Sequence, residues 1–587
     1  MKNIFKSVLV GTLSAVALTG CIDEVVPTNG VSQDQLDSSN KAGEALIWAM
    51  PSYLVQWNSL RRPTNDEWHG DCGYASLMHI RDFMTGDMCL TGPMLTYDQY
   101  YYFSLAAIDD RMAFTQFVWQ FHYKMIQTAN KACESFPEDS EDAVSKGYRA
   151  TALAFRAMAY LDAARWCEFL ENDKTSPVNS EGNNVLGLTV PIVTEKTTEE
   201  EARNNPRVSR EDMVKFILSD LDYAEQNISG SNLSSPLLPN LACVYGLKAR
   251  LYMWIENYPK AAEYAKMAMA GYTPLNEDEW TNVKTGFNSP DNNSWMWALQ
   301  YVKENETVQT GICNWLSFMS LEAYYGYAGA GCAPAVDASM YERIPDSDFR
   351  KLSWVPADFG SPLHDKVSLV VPEDIDYNIK WMPLGTVKFR PGDGNYEDPN
   401  VGSAVWVPTM RVEEMYFIAM EAAAHSSAND GKTQLVDFMT TYRDPNYTCD
   451  LTSIDDVVEE IVFQKRVELW GEGQALWDIK RLNYPVTRSY VGSNWEAEKA
   501  FNTQGRPAWM NMIMVRSEAN NNEGVRDWEN APFAGVYSAV PIPEDPNVGD
   551  EDPQSVMSRS EGVGKGVLPL RKPNPRLQKY RPLWIAE

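Results

Sequence analysis

Small residues recur every three or four positions along Ala242, Tyr245, Gly246, Ala249, Tyr252 and Met253, and again along Ala261, Tyr264, Ala265, Ala268 and Met269. A stripe of that kind lets a second helix approach closely, and the intervening Glu256-Asn257-Tyr258-Pro259 reads as a turn. A helix, a tight turn and a second helix are expected there. The pattern returns in Ala150, Leu153, Ala154, Ala157, Met158 and Leu161, in residues 213–224, and in Val412, Met415, Tyr416, Ala419, Met420 and Ala423, the last paired with 435–442. About four such pairs are expected, and they must stack, because one pair alone cannot hide its apolar face.

Each pair resembles a tetratricopeptide unit, so the fold class is mainly α: a helix-pair scaffold with a few short strands. The pairs are not contiguous. Residues 271–407 and 483–587 are rich in Gly, Pro, Asn and Trp and read as long irregular excursions from a scaffold spanning 41–270 and 408–482. Thr386-Val387-Lys388-Phe389-Arg390 is β-like. Lys and Arg number 51 against 80 Asp and Glu, a net charge of −29, so the field around the chain repels phosphates and nucleic acid is not an expected partner.

The N-terminus reads as an address. Lys2 and Lys6 precede an apolar stretch, Val8 to Leu18, of signal-peptide length and too short to span a bilayer. Leu18-Thr19-Gly20-Cys21 resembles the lipobox of bacterial lipoproteins, which implies a signal peptide over 1–20, lipidation of Cys21 and durable anchoring by several acyl chains. Residues 21–40 are polar and read as a flexible tether to a single body, 41–587. The other eight cysteines form no CxxC pair and do not cluster with the five histidines, so buried thiols are expected, with no metal site and no cofactor. The acidic clusters Glu544-Asp545 and Asp550-Glu551-Asp552 read as solvated loop.

Several longer pieces carry a family resemblance. They are His79-Ile80-Arg81-Asp82-Phe83-Met84-Thr85-Gly86-Asp87-Met88, Arg207-Val208-Ser209-Arg210, Lys388-Phe389-Arg390-Pro391, Met410-Arg411-Val412-Glu413-Glu414-Met415, and Phe463-Gln464-Lys465-Arg466-Val467-Glu468-Leu469-Trp470-Gly471-Glu472-Gly473. In that order, behind a lipobox, they resemble the SusD/RagB family of surface lipoproteins. The resemblance implies capture without catalysis: an oligosaccharide is taken up at the outer membrane and presented to a SusC-like TonB-dependent transporter.

A non-catalytic sugar site needs flat rings for CH faces, with carboxylate, amide or guanidinium groups beside them for hydroxyls. Two stretches offer both. One holds Trp68, His69, Asp71, Tyr74, Arg81, Tyr97, Tyr100 and Tyr101; the other holds Trp280, Trp315, Tyr324 and Tyr325. Arg466, Glu468, Glu472, Asp478 and Arg481 read as ion-paired structural groups, and Arg411, Glu413, Glu414 and Glu421 share that reading, as helix polar faces usually do. A peptide-capturing member of the same family and a surface glycoside hydrolase are the alternative readings. The hydrolase would need a carboxylate pair about 5–9.5 Å apart.

Overall fold

The computed structural model describes residues 40–57, 69–89, 110–111, 113–329, 333–358, 360–372, 382–530 and 537–544. Helix α1 (Asn40–Leu54) and helix α2 (Tyr74–Phe83) come first, followed by the two-residue strand β1 (Met88–Cys89). The scaffold then begins with α3 (Ala113–Ser135) and α4 (Ala143–Cys167). Asp142 caps α4 by accepting the Ser145 N–H. The alanine-rich α4 is buried along most of its length because α3 covers one side and α5 (Arg210–Asn227) the other.

The expected hairpin is present as α6 (Leu241–Trp254) and α7 (Tyr258–Ala268). Asn240 caps α6, Asn257 caps α7, and Pro259 sits in the first turn of α7, where its missing N–H costs nothing. Helix α7 packs on α8 (Val412–Ser426), so two segments 154 positions apart by their first residues are neighbours in the stack. Helices α9 (Ala428–Tyr442), α10 (Ile454–Glu468) and α11 (Ala475–Leu482) complete it. Gly431 shows why small residues mark these contacts. A Cβ there would lie 2.3 Å from the Cβ of Ala424.

The first excursion is tied off at its base. Strand β2 (Trp295–Gln300) pairs antiparallel with β4 (Trp406–Arg411), with Gln300 opposite Trp406 and Trp295 opposite Arg411. Strand β4 runs straight into α8, so the ladder holds both ends of the excursion against the scaffold. A second two-stranded sheet joins β1 to β3 (Ala335–Val336) and docks the N-terminal segment on the excursion. The β-like run 386–390 forms no strand; only isolated bridges link Thr386 to Trp354 and Gly385 to Ala335. Its alternation reflects a segment buried on both sides, with Val387, Lys388, Phe389 and Arg390 all interior.

Candidate functional site

Four of the expected ligand contacts, Trp68, Tyr97, Tyr100 and Tyr101, lie outside the described residues, as does Cys21. The other eight divide by burial. Trp280 and Trp315 are each only 2% exposed. They end an interior chain of rings in which Trp280 meets Phe287 edge-on at 4.8 Å, Phe287 meets Phe389 at 5.6 Å, and Phe389 meets Trp315 at 4.9 Å. The Trp280 indole donates to Ser353 Oγ at 2.8 Å, and the Lys388 ammonium lies 5.1 Å from its ring centre. The expected exposure of these two rings is therefore not realised: each stacks on its neighbours instead of facing solvent.

Arg81, Asp71 and Tyr74 are also interior. Arg81 and the Tyr74 hydroxyl both bond Asp162 of α4, at 2.9 and 2.7 Å, which pins α2 to the scaffold. Burial opposes ionisation of Asp162, but Arg81 and Arg165 outweigh it and hold the carboxyl well below the usual range. Tyr325 is buried, whereas His69 and Tyr324 stay partly exposed. The fold brings His69 across to the excursion, where its Nδ1 is hydrogen-bonded to the Tyr327 hydroxyl at 2.6 Å. Tyr327 in turn stacks on Phe318 at 4.5 Å, and Tyr324 meets Tyr396 edge-on at 5.5 Å.

The charged family pieces form a buried network. Glu468 on α10 takes two bonds from Arg443 at 2.8 Å, with Arg350 at 3.2 Å and Arg411 at 3.4 Å. Glu472 takes Arg411 at 2.8 Å and Lys388 at 2.8 Å. Glu413 bonds Arg411, Ser294 and the Leu275 N–H. The ion-pair reading of Glu468, Glu472, Asp478, Arg466 and Arg481 matches this geometry, with Arg466 on Asp87 and Asp478 shared by Lys465 and Arg481. Arg411, Glu413, Glu414 and Glu421 are ion-paired as well, with Arg411 on Glu413 and Glu472, Glu414 on Arg250 and Glu421 on Arg481, and none is more than 3% exposed. Periodicity marks those positions as polar but cannot show that neighbouring elements close over them.

Two hollows lie largely on residues not singled out by sequence, although Ala242 borders the larger and Arg210 and Arg481 the smaller. The larger, about 640 Å³, is walled by the Ile228–Ala242 turn region with Tyr272, Trp295 and Met296. None of its lining residues is charged, in a chain that is 22% charged. Serine hydroxyls and the Asn240–Tyr272 hydrogen-bonded pair stand over leucine and proline side chains, and the buried Trp295 Nε1 has no partner among the described residues. Such a surface suits a neutral ligand with hydroxyls and apolar faces. The smaller hollow, at the ends of α4, α6 and α11, is cationic. A faint cue for the larger one was present in Ser229–Ser235, a serine-rich turn between two helix stripes. Among the described residues, no cluster of three or more His, Cys, Asp or Glu is arranged for a metal, and no helix is long and apolar enough to cross a membrane.

A helix-pair stack carrying ligand-sized hollows and loop-rich excursions defines a class of binding scaffold, and two family models identify which. The SusD family model matches residues 371–545, and a SusD-like model described as starch-binding associating with outer membrane matches residues 94–253. This chain belongs to the SusD/RagB family. Solved structures share the fold. A SusD-like carbohydrate binding protein from Bacteroides vulgatus is 21% identical with a TM-score of 0.63, covering 85% of this chain and 99% of its own. A SusD superfamily protein from Bacteroides thetaiotaomicron is 16% identical with a TM-score of 0.57, covering 84% and 99%. A laminarin-binding SusD-like protein is 15% identical with a TM-score of 0.56, covering 83% and 98%. No match emerged among curated proteins.

Proposed function

We propose that this chain is a lipid-anchored outer-membrane protein that captures a neutral oligosaccharide and passes it, chemically intact, to a SusC-like TonB-dependent transporter. The observation that carries the reading is the family match over residues 94–253 and 371–545, one model of which is described as starch-binding. The laminarin-binding relative agrees with it. The lipobox at Cys21 supplies the anchor. Capture is assigned to the partly exposed His69 and Tyr324 and, on their sequence alone, to Trp68, Tyr97, Tyr100 and Tyr101, while the uncharged hollow beside Tyr272 offers a second place for a sugar face.

Isothermal titration against a panel of soluble glucans and a panel of peptides tests this. Saturable binding of a glucan, weakened by Tyr324→Ala or Tyr97→Ala and accompanied by no release of reducing ends, is the expected result. Binding confined to peptides, or turnover of a glycan by the purified chain, refutes it. Co-purification with a TonB-dependent barrel from outer membranes, lost on Cys21→Ala, tests anchor and partner together.

A further inference from the structure

The cationic hollow has a volume of about 120 Å³, room for about four waters or for one carboxylate or sulfate group. Its walls come from the C-terminal end of α4, the start of α5, the end of α6, and α11 with the chain beyond it. Five cations line it: Arg165, Arg210, Lys480, Arg481 and Arg506.

Their partners do not balance them. Arg165 bonds Asp162 at 2.5 Å, but Arg81 already holds the same carboxylate at 2.9 Å. Arg210 pairs with Glu168. Arg481 reaches Glu421 at 2.6 Å and Asp478 at 3.0 Å, and Asp478 also takes Lys465 at 2.8 Å. Lys480 donates only to backbone carbonyls, those of Arg165 at 2.7 Å, Trp166 at 3.3 Å and Glu168 at 2.8 Å. Arg506 donates from Nε to the Asn483 side-chain oxygen at 3.0 Å and from Nη1 to the Lys480 carbonyl at 2.6 Å. The buried carboxylates Asp162, Glu168, Glu421 and Asp478 thus face five cations with buried side chains, Arg81, Arg165, Lys465, Lys480 and Arg481, whereas Arg210 and Arg506 are partly exposed and the two other carboxylates close to Arg506, Glu171 and Glu256, are exposed, Glu256 on the wall of the hollow itself.

A second, independent observation points to a ligand. Trp477, 7% exposed, lines the hollow with Arg165 seated 4.3 Å from its ring centre. Its indole N–H is buried without a hydrogen-bond partner among the described residues, whereas the indole of Trp254, which also lines the hollow, is satisfied by Glu168 at 2.8 Å. A buried donor without an acceptor is costly, and a surplus of buried positive charge is costlier. Both are relieved by the same addition. Burial pulls the Lys480 ammonium down to about 7, with Glu168 and Cys167 opposing the shift and Arg506 and Arg210 adding to it.

We propose that this hollow is a binding site for a single oxyanion group, a carboxylate or sulfate, held by Arg165, Arg506 and the Trp477 indole N–H. The group arrives either as a free anion or as the acidic substituent of a saccharide. The site is separate from the uncharged hollow and does not depend on it.

The test titrates the full mature chain with sodium sulfate, sodium glucuronate and glucose at ionic strength matched with sodium chloride, read by calorimetry and by thermal shift. Saturable binding of sulfate or glucuronate, and none of glucose, is expected. Arg506→Gln and Trp477→Phe, the latter removing only the N–H and one ring edge, should each weaken it at least fivefold. Arg506 is partly exposed, so its variant keeps the test usable if Trp477→Phe fails to fold. Binding of glucuronate alone supports the site with an acidic saccharide as the source; equal binding of both anions supports it with the free oxyanion group as the recognised unit. No saturable effect beyond chloride, or binding left unchanged by the variants that fold, overturns the proposal.

Discussion

Replacing Glu468 by Gln tests whether the buried network is a charge-balanced unit. Arg350, Lys388, Arg411 and Arg443 face Asp348, Glu413, Glu468 and Glu472, four cations against four carboxylates, all interior. Gln keeps the shape of the side chain but removes one negative charge, leaving a buried cation uncompensated. Breaking a buried pair in this way costs about 3–5 kcal/mol. Over the roughly 450 described residues, at about 2.1 cal/mol/K each, the unfolding entropy is about 1 kcal/mol/K, so the midpoint should fall by about 3–5 °C. Calorimetry at pH 7 measures it, with Lys215→Ala as control, since the Lys215–Glu211 pair is exposed on both sides and screened by water. Adding Lys388→Met to Glu468→Gln restores three against three and should recover part of the loss. A Glu468→Gln shift no larger than that of the control, or no recovery in the double variant, would refute the argument. Burial raises the Glu468 pKa, but Arg443, then Arg411 and Arg350, outweigh it and hold the carboxyl well below the usual range. Its contribution is therefore present above the unfolded carboxylate value and lost only as pH falls below it, so the deficit should be constant from pH 8 to pH 6.

Gly431→Ala should destabilise the chain although Ala favours a helix by about 1 kcal/mol, because its Cβ meets Ala424 at 2.3 Å and overpacking costs about 1–3 kcal/mol or more; denaturant titration reads the sign. Burial pulls His79 down to about 3, so it stays neutral in the folded chain and its contribution is lost as pH falls from about 6.5 towards 3. The loss attributable to this group at pH 4.5 is about 3 kcal/mol, and His79→Gln should flatten the acid limb of the stability profile in equilibrium unfolding measured from pH 7 to pH 4.5. Trp280→Ala should cost about 3–5 kcal/mol of stability while glucan affinity, measured where the variant remains folded, stays within twofold.

The scaffold was legible in the sequence because helix periodicity is local. Stripes at 148–162, 213–224, 242–269 and 412–442 fall within helices α4 to α9, and the caps at Asn240 and Asn257 stand beside them. Aromatic content is local too, and it nominated Trp280, Trp315 and Tyr325. A ring's type does not say whether another ring will cover it, and Phe287 and Phe389, 102 positions apart, close over the first two. The same limit hid both hollows. Arg165, Trp254, Trp477 and Arg506 span more than 300 positions and share no periodicity, so no window of sequence contains them together.

Helical periodicity and motif order alone determined the fold class and the family. Those properties follow from residues that are neighbours in the chain. Tertiary structure decided which polar groups are interior, closing over the ion-paired Arg411, Glu413, Glu414 and Glu421, and which rings remain at the surface. Burial depends on what packs from distant parts of the chain, and here the β2–β4 ladder and the α7–α8 contact bring those parts together.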